Sequence, residues 1–148
     1  MEPEQIAELR TMYIFTPPNG QSWGLTYEGL ESLLRERNPD GFIRVDDGTD
    51  GPISGSSMHF GIALDDEQLD GMALLSPEGV SVKDCTAQSA ARFVLWLRNI
   101  VVPAGMAVMF NTEWGLEADL PDAPVPDATR PRIAAAFMEH LVQTGDLD

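Results

Sequence analysis

Along this chain the apolar positions switch between a period of two and a period near 3.6, which predicts a mixed α and β protein. Alternation is clearest from Ser57 to Leu64, where Met58, Phe60, Ile62 and Leu64 face one way and Ser57, His59, Gly61 and Ala63 the other. Such a segment reads as a half-buried strand. The acidic turn Asp65-Asp66-Glu67-Gln68 leads into a returning strand from Leu69 to Leu75, and Ser76-Pro77-Glu78-Gly79 turns again into Val80-Ser81-Val82-Lys83. Three strands joined by tight turns predict an antiparallel meander. Shorter strands are expected at Tyr13–Thr16, Phe42–Val45 and Met106–Thr112. Leu116–Leu120 reads as a hairpin partner of the last of these across Trp114-Gly115, or as its continuation past a bulge.

Helical spacing marks four further segments. The first covers about residues 3–11, with Pro3 in its opening turn and Ile6, Leu9 and Met12 on one stripe. Thr26 caps a second, with Tyr27, Leu30, Leu33 and Leu34 on one face, and Asn38-Pro39-Asp40-Gly41 ends it. Thr86 caps a third, whose stripe of Ala90, Phe93, Val94, Leu97 and Val101, flanked by Trp96 and Ile100, is wide enough to lie deep against a sheet. Centred on Phe93 and Leu97, it should cover the face that carries Phe60 and Ile62. A last helix from about Pro131 to Thr144 places Ile133, Phe137 and Leu141 together, after an extended proline-rich connection from Pro121 to Pro126. The expected fold is a single α+β domain over residues 1–148, with an antiparallel sheet of five to six strands packed against about four helices.

Composition narrows the function classes. With 148 residues and 43% apolar content, one ordinary core can form without disulfide or metal staples. Twenty-four acidic residues against nine basic ones give a formal charge of -15, which disfavours binding to nucleic-acid phosphates. Cys85 is the one cysteine, so no internal disulfide is possible and a reducing cytoplasm is the expected location. No apolar run approaches the roughly 18 residues of a membrane span. The start Met1-Glu2-Pro3-Glu4 also lacks the basic-then-apolar build of a signal peptide, so no membrane partner is expected. Eight of the nine basic residues are Arg, as a GC-rich bacterial genome would produce, and no site is read from them.

Few segments carry recognisable chemistry. The loop Asp46-Asp47-Gly48-Thr49-Asp50-Gly51 matches an EF-hand at positions 1, 5 and 6. It has Gly48 at position 3 and Ser57 where the bidentate Glu belongs, so the turn-forming role of Asp-Gly pairs is preferred. His59 and His140 share no metal-ligand spacing with each other or with Cys85. No metal and no cofactor are expected. His140 falls near the end of the last helix, where a cation favours the dipole. His59 shares its strand face with the small Gly61 and Ala63, so it either lines a shallow depression or sits satisfied under a helix. Glu113, Glu117 and Asp119 around Trp114 are expected to line one face of an edge hairpin, as a solvated carboxylate row or as an acid/base pair. No nucleophile elbow, P-loop or dinucleotide fingerprint is present. Trp23, in a Gly-flanked loop, and Trp114, at a turn, are each either lids on the core or binding anchors.

Two readings follow, from different classes. The first is a non-enzymatic acidic protein-binding module, such as an immunity-type neutraliser of a basic protein. Its contacts would be Glu113, Trp114, Glu117, Asp119, the turn Asp65-Asp66-Glu67, Trp23 and His59, facing a basic protein partner. The second is a small enzyme or ligand-binding domain built around His59 and Glu113, which requires both side chains to converge on one pocket. A third possibility, an accessory protein that acts only as part of an oligomer, concerns assembly state more than chemistry.

Overall fold

The computed structural model describes residues 2–46, 56–64, 67–75 and 78–144. Among them the chain forms α1 (Pro3–Ala7), β1 (Thr11–Thr16), α2 (Tyr27–Arg37), β2 (Phe42–Asp46), β3 (Ser57–Leu64), β4 (Glu67–Leu75) and β5 (Glu78–Cys85). These are followed by α3 (Ala87–Trp96), β6 (Met109–Thr112), α4 (Glu113–Glu117), β7 (Ala123–Pro124) and α5 (Arg130–Gln143). The seven strands make one antiparallel sheet in the order β2-β3-β4-β5-β1-β6-β7. The α+β class therefore holds, with one short strand and one short helix beyond the expected set.

The expected meander is β3-β4-β5, with Phe60 opposite Gly71 and Gly71 opposite Val82. The first strand enters differently. β1 lies between β5 and β6, pairing Tyr13 with Val82 on one side and with Thr112 on the other. Its core face carries Tyr13 and Phe15, both fully buried, and its other face carries Met12 and Ile14.

Helices α2, α3 and α5 cover the core face of the sheet. Thr86 and Thr26 cap α3 and α2 as the sequence indicates, each accepting an N–H from three residues on. The ring of Phe93 on α3 lies 6.0 Å from Phe60 and 6.1 Å from Phe15, so the helix sits where its stripe predicts. Phe137 on α5 meets Tyr13, Phe15 and Phe110 at 5.1, 6.0 and 4.5 Å. Leu30 and Leu34 of α2 and Ile133 of α5 close the same core.

Three local expectations are corrected. The first helix ends at Ala7, short of residue 11, because Thr11 onward is drawn into the sheet opposite Cys85. The third helix widens into a π-type turn over Leu97–Val101, which closes with the Val102 N–H on the Leu97 carbonyl. Third, Leu116–Leu120 is no strand. Thr112 caps α4 by accepting the Gly115 N–H at 2.9 Å, so the chain turns helical directly after β6. The pairing that the hairpin would have supplied comes from β7, inside the proline-rich connection, where Phe110 faces Ala123. No helix of the described residues is long and apolar enough to cross a membrane.

Candidate functional site at one end of the sheet

Register brings Glu67, Glu113 and Glu117, which the sequence singles out, and Asp84, which it does not, to one end of the molecule. Leu64 faces Glu67, Thr11 faces Cys85 and Tyr13 faces Thr112, so β3, β5 and β6 finish, and β4 and β1 begin, at the same edge. Glu67, Asp84, Glu113 and Glu117 therefore gather there, with Asp119 closing α4. Glu113, Glu117 and Asp119 are exposed. They do not form the strand row that the sequence suggested, because Glu113–Glu117 is helical. Glu113 and Glu117 stand at i and i+4 on α4, where like charges oppose the helix by about 0.2–0.5 kcal/mol. Glu113 recovers part of this by lying in the first turn, at the positive end of the helix dipole. Asp119 adopts φ +58°, the left-handed conformation that ends a helix and that aspartate tolerates better than most residues.

Trp114 is half-buried in the middle of this group. It lines a surface cleft of about 370 Å³ with Arg10, Thr11, Met12, Lys83, Asp84 and Glu113. Arg10 donates to the Asp84 carbonyl at 2.8 Å, and its Nε lies 3.5 Å from the Asp84 carboxylate. Both side chains are more than half exposed, so this pair adds little stability. The cleft thus has an aromatic wall and a rim of two cations and two carboxylates, with Glu117 and Asp119 following within five residues of Trp114.

Behind α4 a buried polar network holds the end in shape. Asn111 donates to the Leu120 carbonyl and to Asp122, and its Oδ1 accepts the Thr112 N–H. The Thr112 hydroxyl, which already accepts from Gly115, lies 3.0 Å from Nε2 of His140. Gly115 has no room for a side chain, because a Cβ would press on Asn111 and His140. His140 is therefore structural, but it does not act as a helix-terminal cation. Burial pushes its pKa below the ordinary 6.5, which favours the neutral ring. The unfolded chain takes up this proton first, so the contribution to stability is full above about pH 6.5 and is lost as pH falls below that value. Unfolding free energies measured from about pH 5 to 8 should fall toward acid more steeply in wild type than in His140→Gln.

On the core side of the same end lie Thr11, Tyr13 and Cys85. Burial, aided by the neighbouring Cys85, holds the Tyr13 hydroxyl well above its usual range, and neither it nor the Thr11 hydroxyl has a hydrogen-bond partner among the described residues. Burial and then the Glu67 carboxylate push the Cys85 thiol up to about 12. Only the thiolate is nucleophilic. Cys85 should therefore stay unmodified by an aromatic disulfide reagent at neutral pH until the protein is unfolded, and rapid labelling of the native protein would contradict its placement.

The remaining candidates lie elsewhere. Trp23 is no surface anchor: it is 5% exposed, and its indole donates to the Ala107 carbonyl at 3.1 Å. Its loop is tied down by Glu78, whose two carboxylate oxygens accept the N–H groups of Trp23 and Leu25 at 2.8 and 2.7 Å. Both lie at the opposite end of the sheet, where β5 begins. Glu67 is half-buried, with one carboxylate oxygen enclosed, which limits its reach toward a partner. Asp65 and Asp66, like most of the loop read against an EF-hand, lie outside the described residues. Among those described, no three His, Cys, Asp or Glu side chains are grouped to hold a metal ion.

His59 is half-buried on the sheet face turned away from the helices, opposite Arg44 and Met72, with Ser57 Oγ 3.5 Å from its ring. Desolvation, then the Arg44 and Lys83 charges, lower its pKa against the opposing pull of Asp46. It is not under a helix. Four strand steps of about 4.8 Å separate β3 from β6, so His59 and Glu113 are about 19 Å apart across the sheet and share no pocket.

The sequence reading missed Glu78, taken as a turn residue, and the apolar character of that open face. A signal for the second was present: Thr11-Met12-Tyr13-Ile14-Phe15 is apolar on both alternating faces, as in strands covered on two sides. Compared with known protein families, curated proteins and solved structures, the chain matches none.

Proposed function

We propose that this chain is a non-enzymatic protein-binding module that engages a basic protein through the acidic end of its sheet, in the manner of an immunity-type neutraliser. The observation that carries this reading is the half-buried Trp114 in a cleft where Asp84 and Glu113 stand beside Arg10 and Lys83, with the exposed Glu117 and Asp119 following within five residues of it along the chain. Large aromatics in a partly desolvated cleft are the usual anchors of protein interfaces, and a charged rim sets partner and rate. Glu113 and Glu117 are kept together although their repulsion weakens α4, which a partner-facing role explains and a solubility role does not require. The chain's charge of -15 extends the attraction beyond the contact itself.

The test is association kinetics with a partner captured from the source cell. Charge reversal by Glu113→Lys with Glu117→Lys should slow association about tenfold or more at low salt and flatten its salt dependence. For wild type the rate should drop as the Debye length falls from about 10 Å at 0.1 M to about 3 Å at 1 M salt. A partner with a neutral or acidic contact surface, or a rate indifferent to salt, would end this reading.

A further inference from the structure

We propose that the cleft between the end of α3 and the approach to α5 binds a small zwitterion, an apolar α-amino acid, with Arg98 taking its carboxylate and Asp127 its ammonium group. The cleft lies before β6, at the end of the sheet away from Glu113, so the inference does not depend on the function proposed above.

The cleft has a volume of about 470 Å³, within the ordinary range for small-molecule sites. Buried Val102, Val108 and Val125 supply apolar lining. Arg98 belongs to the π-type turn after α3, a widening of the helix that recurs at functional sites. Its half-buried guanidinium is held by main-chain acceptors, donating to the Pro126 carbonyl at 2.7 Å and to the Ala128 carbonyl at 3.2 Å. Those bonds leave further N–H donors of the fork, and its charge, unused. Asp127 stands between the two acceptors, at the centre of a three-residue turn closed by the Ala128 N–H on the Pro126 carbonyl at 2.9 Å. Among the described residues, neither Arg98 nor Asp127 forms an ion pair, with the other or with any third residue. Two opposite charges thus line one cleft, fixed in place and unneutralised.

The backbone sets the gap between them. A carbonyl oxygen lies about 2.8 Å from the next Cα, and an aspartate carboxylate reaches about 3.7 Å from its own. With the 2.7 Å bond to Pro126, the Asp127 carboxylate is within about 9 Å of the Arg98 guanidinium, yet beyond the roughly 4 Å of an ion pair. An α-amino acid fills such a gap, with a bond of about 2.8 Å at each end and about 3 Å between its own charges. Charge selects the same class. A simple anion would meet Asp127 and the chain's charge of -15 as well as Arg98, and a simple cation would meet Arg98. A zwitterion satisfies both groups and carries no net charge, and its side chain is left to the valines.

The experiment is NMR titration of the intact, nitrogen-15-labelled chain with L-valine and L-leucine, up to about 50 mM because a ligand of two contacts binds in the millimolar range. Saturable shifts are expected at Asn99, Gly105 and Asp127 and at the Trp23 indole N–H, whose acceptor is the Ala107 carbonyl on the cleft wall, with none at Glu113. The N-acetyl derivatives keep only the carboxylate and the amides only the ammonium group, so each should bind at least about tenfold more weakly. Arg98→Gln should abolish binding. Because that change also loosens the hold on residues 126–128, Asp127→Asn is the second variant: Asp127 is exposed and pairs with no described residue. It should weaken the free amino acids and strengthen their N-acetyl derivatives, since it removes the negative charge that opposes them. No saturable shift with either amino acid would overturn the proposal. So would N-acetyl derivatives that bind as tightly as the free forms, or an Asp127→Asn chain that binds the free forms as wild type does.

Discussion

Phe93→Ala is expected to destabilise the protein by about 3 to 5 kcal/mol, measured as the loss in unfolding free energy by denaturant titration. Phe93 is fully buried and sits at the junction of three rings, with Phe60 at 6.0 Å, Phe15 at 6.1 Å and Trp96 at 5.8 Å. Truncation removes the transfer energy of the ring and leaves a cavity that its neighbours cannot fill. Phe15 is fixed by the central strand, and Phe60 is held in the meander between β2 and β4. The midpoint should move while the denaturant slope stays the same, because the surface exposed on unfolding is nearly unchanged. A loss below about 1 kcal/mol would mean that α3 does not carry the core as described.

Gly71→Ala should be comparably damaging for the opposite reason. Gly71 lies in the middle of β4, opposite Phe60 on one side and Val82 on the other. The Phe60 ring lies over the glycine, and a Cβ there would overlap both that ring and the Ser81 carbonyl. The ring could turn only by leaving its stack on Phe93, and the carbonyl belongs to the backbone of β5. The substitution therefore forces the strands apart or the ring off its packing, a strain of about 3 kcal/mol. A drop in melting temperature with loss of near-ultraviolet ring signals would support this. A Gly71→Ala protein as stable as wild type would show that the Phe60 ring does not lie over β4.

These two positions also show how far the sequence could be read. The stripe through Ala90, Phe93, Val94 and Leu97 and the alternation through Phe60 and Ile62 both depend on local periodicity, and together they placed α3 on the correct face. Caps at Thr26 and Thr86 were legible for the same reason, since the residues involved are adjacent in the chain. Gly71 was not, because its need for an absent side chain comes from a ring on another strand. Thr112-Glu113-Trp114-Gly115 carried a cap signal, threonine followed by an acidic first turn, but the alternation around it suggested a hairpin. In the candidate site, the gathering of Asp84 with Glu113 and Glu117 depends on β1 lying between β5 and β6, a pairing that no local pattern encodes. Trp23 is a similar case, since its burial requires Glu78 from the far side of the chain to hold its loop.

The central position of β1 governs how the chain must assemble. This strand precedes both of its neighbours in the chain, β5 by about half of the 148 residues and β6 by more. Until both exist, Met12 to Phe15 is a short apolar segment with both edges unpaired, and the β3-β4-β5 meander can form without it. Closing such long loops carries entropy that later contacts must recover, so the two pairings of β1 cost more in loop closure than the local pairings of the meander. Until β1 is paired, its apolar residues are an exposed strand of the kind that aggregates.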